Sequence, residues 1–250
     1  MQKISVFIIT FNEEKIIAKC LEKLSFANEI IVIDSGSTDK TEDICKKFNV
    51  KFIYNKFENF GIQKQFALQQ TRNNWVLSID ADEVLSDELI NEIINFDDSF
   101  GGYNIPRTHV FLNKIFKYGS ENRKPILRFF DKTKGHFELS KIHETIVVNS
   151  NIGNFTNEML HYTVADLASA VRKNVNYAIL SGEFASEKGR KSSIFKTIIK
   201  IPYEFIRVYL VQLNFMNGYQ GFVWSVMSSF GSFLKFAKLY ELQNQEIKSL

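Results

Sequence analysis

Strand-like and helix-like segments alternate over the first 85 residues of this 250-residue chain. Four short apolar runs, at 4–9, 29–34, 51–54 and 75–80, predict β-strands. The stretches between them have the apolar spacing of helices. Alternation of this kind produces βαβ units with parallel neighbouring strands. The chain is therefore predicted to be an α/β protein with a mostly parallel central sheet.

The pattern changes after the first 100 residues. Residues 101–162 contain Gly, Asn and Pro between short β-like pieces, which predicts an antiparallel extension of the sheet. Helical spacing returns near Ala165 and continues through an aromatic, basic segment over 194–240. The expected organisation is one domain over 1–164 and a helical, basic and aromatic extension over 165–250.

Composition excludes several classes of protein. Leu, Ile, Val and Phe are too abundant for a disordered chain. Two cysteines, Cys20 and Cys45, cannot form a disulfide scaffold and favour a reducing compartment. The chain runs from Met1 directly into a strand pattern without the features of a secretory signal. The expectation is a cytoplasmic protein.

Acidic residues cluster where the fourth predicted strand ends, at the edge where parallel α/β sheets bind ligands. Asp80-Ala81-Asp82-Glu83 places three carboxylates in four residues, and these repel one another unless a cation neutralises them. Carboxylate oxygens bind Mg²⁺ or Mn²⁺, which commonly share their ligands with substrate phosphates. The alternative is an acidic helix start, favoured by the helix dipole.

A second acidic position, Asp34, ends the second predicted strand and precedes Ser35-Gly36-Ser37-Thr38-Asp39. Gly36 permits a tight turn there. The carboxylate of Asp34 can accept hydrogen bonds from the base or ribose of a nucleotide. The alternative is an Asx turn followed by a helix cap, which accounts well for Ser37 to Asp39 and poorly for Asp34.

Five segments, taken in order, resemble the family 2 glycosyltransferases of the GT-A fold: ISVFIITFNEE, IIVIDSGSTDKT, FGIQKQFAL, NWVLSIDADE and KIHE. More narrowly, they resemble bacterial lipopolysaccharide-core glucosyltransferases of the β-1,4 type. The resemblance covers the whole chain and is strongest over 1–83. It implies an inverting transfer of a hexose from a nucleotide-sugar, UDP-glucose or UDP-galactose, to a lipopolysaccharide core or another lipid-linked envelope glycan.

The resemblance also implies roles for individual residues. Asp82 would ligate Mg²⁺ or Mn²⁺, Asp80 would lie beside the ribose and the metal, and His161 would be a late ligand of the metal or diphosphate. Glu144 would be the general base with His143 beside it, although this pair is His-Glu where the wider family has Glu-Asp. The remaining implied nucleotide-sugar contacts are Thr10, Asn12, Glu13, Asp34, Ser37, Gln63 and Lys64.

Three arginines lie in the loop-rich segment where acceptor or diphosphate contacts are expected: Arg107, Arg123 and Arg128. Guanidinium groups suit a phosphorylated ligand, and a solvated surface charge is the alternative. Arg128 is the strongest candidate because it lies within the apolar run PILRFF. His109 and His136 are interpreted as loop histidines without a role.

The sequence lacks the motifs of several other enzyme classes. No phosphate loop, dinucleotide fingerprint, CxxC pair or HExxH helix is present, so ATP hydrolysis, dinucleotide redox chemistry and zinc proteolysis have no support. A glycosidase would need no acidic metal motif after a nucleotide-binding strand. The alternative from another class is a non-catalytic protein that binds a nucleotide-sugar or carbohydrate. A nucleotidyltransferase would usually need a glycine-rich loop where this chain has TFNEEK.

The C-terminal segment carries an excess of positive charge. From Arg190 onward eight Lys or Arg face three Glu, a net of +5, so the first 189 residues sum to −2. Within 194–240 one apolar stripe has helical spacing: Val223, Val226, Met227, Phe230, Phe233, Leu234 and Ala237. This predicts peripheral association with the cytoplasmic face of the inner membrane. The alternative is packing on the catalytic domain or on a second subunit. Nucleic-acid binding is not expected, since the aromatic residues follow helical spacing.

Overall fold

The computed structural model describes residues 2–138, 145–164 and 166–248, with side chains described to Gln245. Contacts divide the chain into two compact units. Unit 1 holds the described residues of Met1–Thr108 and Arg123–Tyr162, and unit 2 holds those of His109–Asn122 and Thr163–Leu250. The domain boundary predicted after residue 164 stays a prediction.

Strands and helices follow one another along the chain. The strands are β1 Ile4–Thr10, β2 Glu29–Asp34, β3 Lys51–Tyr54, β4 Trp75–Asp80, β5 Glu83–Leu85, β6 Gly102–Phe111, β7 Lys114–Ile115, β8 Lys124–Asp131, β9 Gly135–Phe137, β10 Ile146–Val148, β11 Ile152–Asn154 and β12 Met159–Val164. The helices are α1 Ile17–Glu22, α2 Thr41–Cys45, α3 Phe60–Gln70, α4 Asp87–Ile94, α5 Leu167–Glu187, α6 Ile194–Ile206 and α7 Tyr219–Lys248. A π-helical turn, Arg207–Val211, and a 3-10 turn, Asn214–Asn217, lie between α6 and α7.

The main sheet has a parallel half and an antiparallel half. Its strand order is β3-β2-β1-β4-β8-β6-β12-β5 in the part of the chain that the structure describes. The first four strands are mutually parallel, and they are the four predicted from the sequence. Strand β8 is antiparallel to β4 and to β6, and β12 is antiparallel to β5. The α/β class is therefore confirmed, and the extension over 101–162 is antiparallel as predicted except at β11, which pairs with β6 in parallel.

Side-chain alternation along β1 explains why both faces of the parallel half are buried. Val6 and Ile8 belong to one apolar cluster, whereas Phe7 and Ile9 belong to another. Successive side chains of a strand point to opposite faces of the sheet, so each face of β1 contributes to a separate core. This is the burial that continuous apolar runs predict for strands covered on both sides.

The helix after β2 begins later than the sequence suggests. Helix α2 starts at Thr41, beyond Ser37 and Asp39. The Ser37 hydroxyl instead accepts a hydrogen bond from the Asn12 amide and donates one to the Asp34 carboxylate, so it serves the turn before the helix. By contrast, Ser86 caps α4, and its hydroxyl accepts a hydrogen bond from the Leu89 amide at 3.1 Å.

Unit 2 has its own small core and a close helix crossing. Phe111 and Phe116 pack against Trp224, with ring centroids 5.2 Å and 5.8 Å apart. Helix α5 passes α7 at Gly182, where an added Cβ would lie 2.9 Å from the Lys235 carbonyl oxygen. Among the helices that the structure describes, none combines the length and the apolar character needed to cross a bilayer.

We expect Phe129→Ala to lower the free energy of unfolding of unit 1 by about 3–5 kcal/mol, because the change leaves a cavity in a close-packed core. Phe129 is fully buried on β8, with its ring centroid 4.9 Å from Trp75 and 4.8 Å from Phe96. Urea denaturation followed by circular dichroism measures the effect. The control is Phe195→Ala, where the side chain is 74% exposed. Equal losses for both variants would contradict this account of the core.

Candidate active site

The carboxyl ends of three parallel strands meet at one edge of the sheet in unit 1. Thr10 at the end of β1 is in register with Asp34 at the end of β2. On the other side of β1, Ile9 is in register with Asp80, the last residue of β4. Residues predicted to bind a nucleotide-sugar therefore share one sheet edge.

The loops after β1 and β2 are bonded to each other. Asn12 adopts a left-handed backbone conformation with φ of 55°. Its amide donates to the Ser37 hydroxyl at 2.8 Å, and its side-chain oxygen accepts from the Thr38 amide at 2.8 Å. The Glu13 amide donates to the Thr41 hydroxyl at 2.9 Å. These bonds hold the two loops as one rigid rim beside the strand ends.

Asp34 closes the turn after β2. Its Oδ2 accepts hydrogen bonds from the Gly36 and Ser37 amides, both at 2.8 Å, and its Oδ1 accepts from the Ser37 hydroxyl at 2.5 Å. The expectation that the turn accounts poorly for Asp34 is therefore wrong, because this carboxylate organises the turn. The assignment of Asp34 to a nucleotide stays a prediction.

Helix α3 links this rim to the acidic motif. The side-chain amide of Gln63 donates to the Ser35 hydroxyl at 3.1 Å. The next residue, Lys64, is almost fully buried and its Nζ lies 3.0 Å from Oδ1 of Asp80. Consecutive residues on one helix thus contact the loop after β2 and the end of β4.

The acidic motif is built around a buried carboxylate, Glu83. Arg128 reaches from β8 and places Nη2 2.7 Å from Asp80 Oδ2 and 2.8 Å from Glu83 Oε1. Arg107 on β6 lies 3.4 Å from the same Glu83 oxygen. The other Glu83 oxygen accepts the Asp80 amide at 3.0 Å. Glu83 is the site residue that sequence analysis missed, since the sequence marks it only as the third carboxylate of the motif.

The protein itself supplies cations to this motif. Lys64, Arg107 and Arg128 surround Asp80 and Glu83, so repulsion between these two carboxylates does not by itself require a metal ion. Burial alone would raise the pKa of Asp80, but the charges of Arg128 and Lys64 outweigh it and hold that pKa well below its usual range. Asp80 is therefore ionised and fixed in place.

Asp82 points to a different partner. Strand β5 pairs with β12, which brings His161 opposite Glu83, and the Tyr162 amide donates to the Asp82 carbonyl at 2.8 Å. His161 Nε2 lies 3.2 Å from Asp82 Oδ2. Burial disfavours the charged imidazole, yet the neighbouring Asp82 carboxylate outweighs this and raises the pKa of His161. Two predicted metal ligands, 79 residues apart in sequence, are thus adjacent.

The Asp82 carboxylate suits a divalent ion that is shared with a substrate, and His161 could join it only as a neutral imidazole, after losing the proton that Asp82 favours. Within residues 2–138, 145–164 and 166–248, no group of three or more His, Cys, Asp or Glu side chains is arranged to hold a metal. Mg²⁺ is commonly held by one or two carboxylates together with substrate phosphates, so a complete protein cage is not required. Asp82 offers the hard oxygen that such an ion prefers.

The other predicted residues lie in varied surroundings. His143 and Glu144 lie outside the described residues. Arg123 donates to the Thr156 carbonyl and lies 3.7 Å from a carboxylate oxygen of Glu158. His109 and His136 lie on strands, which corrects their interpretation as loop residues: His136 is exposed on β9, and His109 is buried on β6. In unit 2, His109 lies 3.5 Å from Glu121.

A shallow cavity of about 550 Å³ lies elsewhere in unit 1, between α4 and β6. Its lining includes Glu88, Glu92 and Asp97, and it shares no residue with the predicted site. An acidic lining repels a diphosphate, so the cavity does not suit the donor.

We expect Arg128→Met to destabilise the protein by about 3–5 kcal/mol, because it leaves two carboxylates without their shared buried cation. Adding Glu83→Gln removes the buried negative charge and should recover about 0.5–3 kcal/mol of that loss. Urea denaturation of the two single variants and the double variant gives the coupling.

Arg72→Met is the matched control, because Arg72 is 83% exposed and lies 3.5 Å from Glu29. Its loss should be about 1 kcal/mol or less. Strictly additive effects of Arg128→Met and Glu83→Gln would show that this buried pair is not coupled.

Comparison with known proteins identifies relatives along the whole chain. A family model described as glycosyl transferase family 2 matches residues 5–152. The lipopolysaccharide core biosynthesis glycosyltransferase LpsC of Rhizobium meliloti (strain 1021) is 32% identical over 248 residues, which is 95% of this chain and 92% of that protein. An uncharacterized glycosyltransferase of Rickettsia typhi is 31% identical over 260 residues, 97% of this chain and 88% of that protein.

Solved structures show weaker similarity. S. aureus TarS has 18% identity and a TM-score of 0.49, over 72% of this chain and 39% of that one. Glucosyl-3-phosphoglycerate synthase from Mycobacterium tuberculosis, crystallised with Mn²⁺, UDP and glucosyl-3-phosphoglycerate, has 21% identity and a TM-score of 0.38, over 43% of this chain and 44% of that one. The family match covers more than half of the chain, and the sheet has the expected parallel strands with a helical C-terminal region. The chain belongs to glycosyltransferase family 2 and has its GT-A fold.

Proposed function

We propose that this protein is a metal-dependent, inverting hexosyltransferase that uses a UDP-sugar, UDP-glucose or UDP-galactose, as donor. The observation that carries the proposal is the adjacency of Asp82 and His161 beside the ion-paired Asp80, at the strand edge where α/β sheets bind ligands. Family membership supports sugar transfer, and the motif resemblance to lipopolysaccharide-core glucosyltransferases supports the hexose.

The donor would bind across the rim formed by the loops after β1 and β2. Thr10 and Asp34 end adjacent strands, and their loops are tied together by hydrogen bonds. Backbone and side-chain groups of Asn12, Glu13 and Ser37 lie on this rim and would contact the base and ribose. Lys64 and Gln63 would support the donor from α3, and Arg128 would place positive charge near the diphosphate.

Asp82 and His161 would hold Mg²⁺ or Mn²⁺. A bound divalent ion would act as a Lewis acid toward the leaving diphosphate and stabilise the negative charge that develops there. Asp80, ionised and fixed by Lys64 and Arg128, would contact the ribose and the ion without changing its orientation. In this scheme Lys64 and Arg128 fix the position of Asp80, so the two carboxylates that would contact the metal, Asp80 and Asp82, occupy separate positions.

Glu144 is proposed as the general base, oriented by His143. Removing the proton from the acceptor hydroxyl makes that oxygen a stronger nucleophile as it attacks the anomeric carbon. A direct displacement on the face opposite the diphosphate inverts the anomeric configuration, by the same stereochemical reasoning that applies to inverting glycosidases.

The acceptor is proposed to be a lipopolysaccharide core or another lipid-linked envelope glycan. The relative LpsC is described as a lipopolysaccharide core biosynthesis glycosyltransferase, and it is similar over nearly the whole chain. The scheme assigns residues 1–164 to catalysis and 165–250 to a helical extension. A lipid-linked acceptor would require the enzyme to work at the cytoplasmic face of the inner membrane, with peripheral association through 194–240.

UDP release tests the proposal directly. The purified protein is incubated with UDP-glucose or UDP-galactose, a lipopolysaccharide inner-core acceptor, and either Mn²⁺ or EDTA. Acceptor-dependent UDP release that EDTA abolishes supports the proposal, and NMR of the product gives the anomeric configuration. Donor binding without acceptor-dependent turnover would instead support a non-catalytic binding protein.

We expect Asp82→Asn to abolish transfer, because an amide oxygen is a poor replacement for a carboxylate bound to a divalent ion. Folding should be retained, since Asn has the same shape and keeps an oxygen facing His161. UDP release with Mn²⁺ measures the effect, and Asp43→Asn on the exposed surface of α2 is the control. Retention of more than about a tenth of wild-type activity, equivalent to a loss of less than about 1.4 kcal/mol, would exclude the metal role.

We expect Glu144→Gln to lower kcat by about 10²–10⁴-fold, the usual contribution of a general base. Donor affinity should be nearly unchanged, because the base acts on the acceptor hydroxyl. Titration with UDP in the presence of Mn²⁺ measures donor-site affinity separately from turnover. Parallel losses of UDP affinity and kcat would place Glu144 among the donor or metal contacts.

A further inference from the structure

Helix α6 in unit 2 exposes its apolar side. Ile194, Phe195, Ile198, Ile199 and Ile206 are 60%, 74%, 61%, 46% and 51% exposed. With the exposed Pro202 they occupy one side of the helix at spacings of one, three and four residues, and we call this surface the α6 face.

The inner side of α6 is the more polar one. Thr197 is buried, and its hydroxyl donates to the Ser193 carbonyl at 2.9 Å and lies 3.3 Å from the buried Ser192 hydroxyl. The Lys200 ammonium lies over the rings of Tyr203 and Phe236, at 4.8 Å and 5.1 Å from their centroids. A surface helix of a water-soluble domain normally has the opposite arrangement. Contiguous exposed apolar surface of this kind marks an interaction site.

Exposed apolar side chains continue in the turns after α6. Val211, Phe215, Met216 and Tyr219 are 72%, 45%, 48% and 70% exposed. Between them, buried asparagines fix the backbone: Asn214 donates to the Val208 carbonyl at 3.1 Å, and Asn217 donates to the Tyr118 carbonyl at 3.0 Å. These hydrogen bonds therefore fix the backbone that carries the exposed side chains.

Positive charges predominate around the start of α6. Residues 188–203 contain Lys188, Arg190, Lys191, Lys196 and Lys200 and no Asp or Glu, with Glu187 before this stretch and Glu204, bonded to Arg207, after it. Lys191 and Lys196 are exposed. Such a surface complements anionic lipid headgroups. Two copies meeting through the same face would bring these like charges together, which disfavours a symmetric dimer as the occupant.

We propose that the α6 face docks unit 2 onto an anionic lipid surface, with its apolar side chains in the boundary between headgroups and acyl chains and Lys191 and Lys196 at the phosphates. This inference deepens the proposed function, because it rests on a lipid-linked acceptor, and it names the surface that carries the association.

It also replaces the stripe predicted on α7. That stripe divides in the structure: Val223 and Met227 pack with Trp224 into the core of unit 2, whereas Val226 and Phe230 are 42% and 44% exposed. The α7 stripe therefore belongs in part to internal packing, which was the alternative considered from the sequence. The more exposed apolar surface lies on α6.

Vesicle flotation of the full-length protein tests the proposal. The probes are vesicles of phosphatidylcholine alone and of equal parts phosphatidylcholine and phosphatidylglycerol. We expect the wild type to float with the anionic vesicles and not with the neutral ones. Lys191→Gln with Lys196→Gln should lower the partition coefficient about fivefold per charge, which corresponds to about 1 kcal/mol each. Phe195→Asn with Ile198→Asn should lower it by about tenfold or more.

Two matched control variants carry the same kinds of substitution at exposed positions outside the α6 face. Lys3→Gln with Lys51→Gln removes two exposed charges from unit 1. Leu167→Asn with Leu180→Asn changes two side chains of α5 that are 46% and 60% exposed. Both controls should float like the wild type. Wild-type protein that stays unbound, or α6 variants that float equally well, would overturn the proposal.

Two further readouts separate the remaining outcomes. A wild-type dimer in sedimentation velocity that Phe195→Asn with Ile198→Asn dissociates, together with no flotation, would show that a second copy covers the α6 face and would overturn the lipid proposal. UDP release with a water-soluble core oligosaccharide should be the same for wild type and α6 variants. Flotation without any UDP release would support docking and contradict the proposed function alone.

Discussion

The buried carboxylate of Glu83 requires cationic partners. The arrangement of the candidate site follows from which strands supply these cationic side chains. An unpaired charge at this position would be strongly unfavourable, because removal from water costs several kcal/mol per ion. Arg128 from β8 and Arg107 from β6 converge on Glu83 in β5, and Arg128 also binds Asp80 at the end of β4. One ionic cluster therefore joins strands of the parallel half to strands of the antiparallel half within unit 1. The net contribution of such buried ion pairs to stability is small, because the cost of removing both charges from water offsets much of their attraction.

This cluster separates the roles of the three carboxylates in the acidic motif. Glu83 is enclosed by arginines, and Asp80 lies between Arg128 and Lys64. Asp82 instead faces His161 on β12. Because arginine and lysine side chains neutralise Glu83 and Asp80, the proposed function assigns the divalent ion chiefly to Asp82. In the sequence the three carboxylates look equivalent. In the structure Glu83 is buried between arginines, Asp80 is held by Arg128 and Lys64, and Asp82 lies beside the His161 imidazole.

Unit 2 presents a different physical problem. Its core is built on Trp224 and two phenylalanines, and its long helices pack closely enough to require Gly182 at a crossing. Helix α6 nevertheless turns apolar residues outward, and residues 188–203 around its start contain four lysines, one arginine and no acidic residue. In the docking proposed above, the apolar side chains and the positive charges of unit 2 would contact the same anionic lipid surface.

The sequence by itself determined the local features of this protein. Apolar runs and helical spacing predicted the four parallel strands, the antiparallel extension and the C-terminal helices, because backbone propensity and side-chain periodicity are properties of short segments. It also placed the acidic motif at a strand end. Tertiary structure alone decided the partners: Lys64 and Arg128 at Asp80, His161 at Asp82, Ser37 at Asp34 and an outward apolar face on α6 rather than α7. Apart from the Ser37 turn, these contacts join residues far apart in the chain or depend on which side of a helix meets its neighbours. The identity of a partner across a sheet depends on strand order and register, which no single segment encodes.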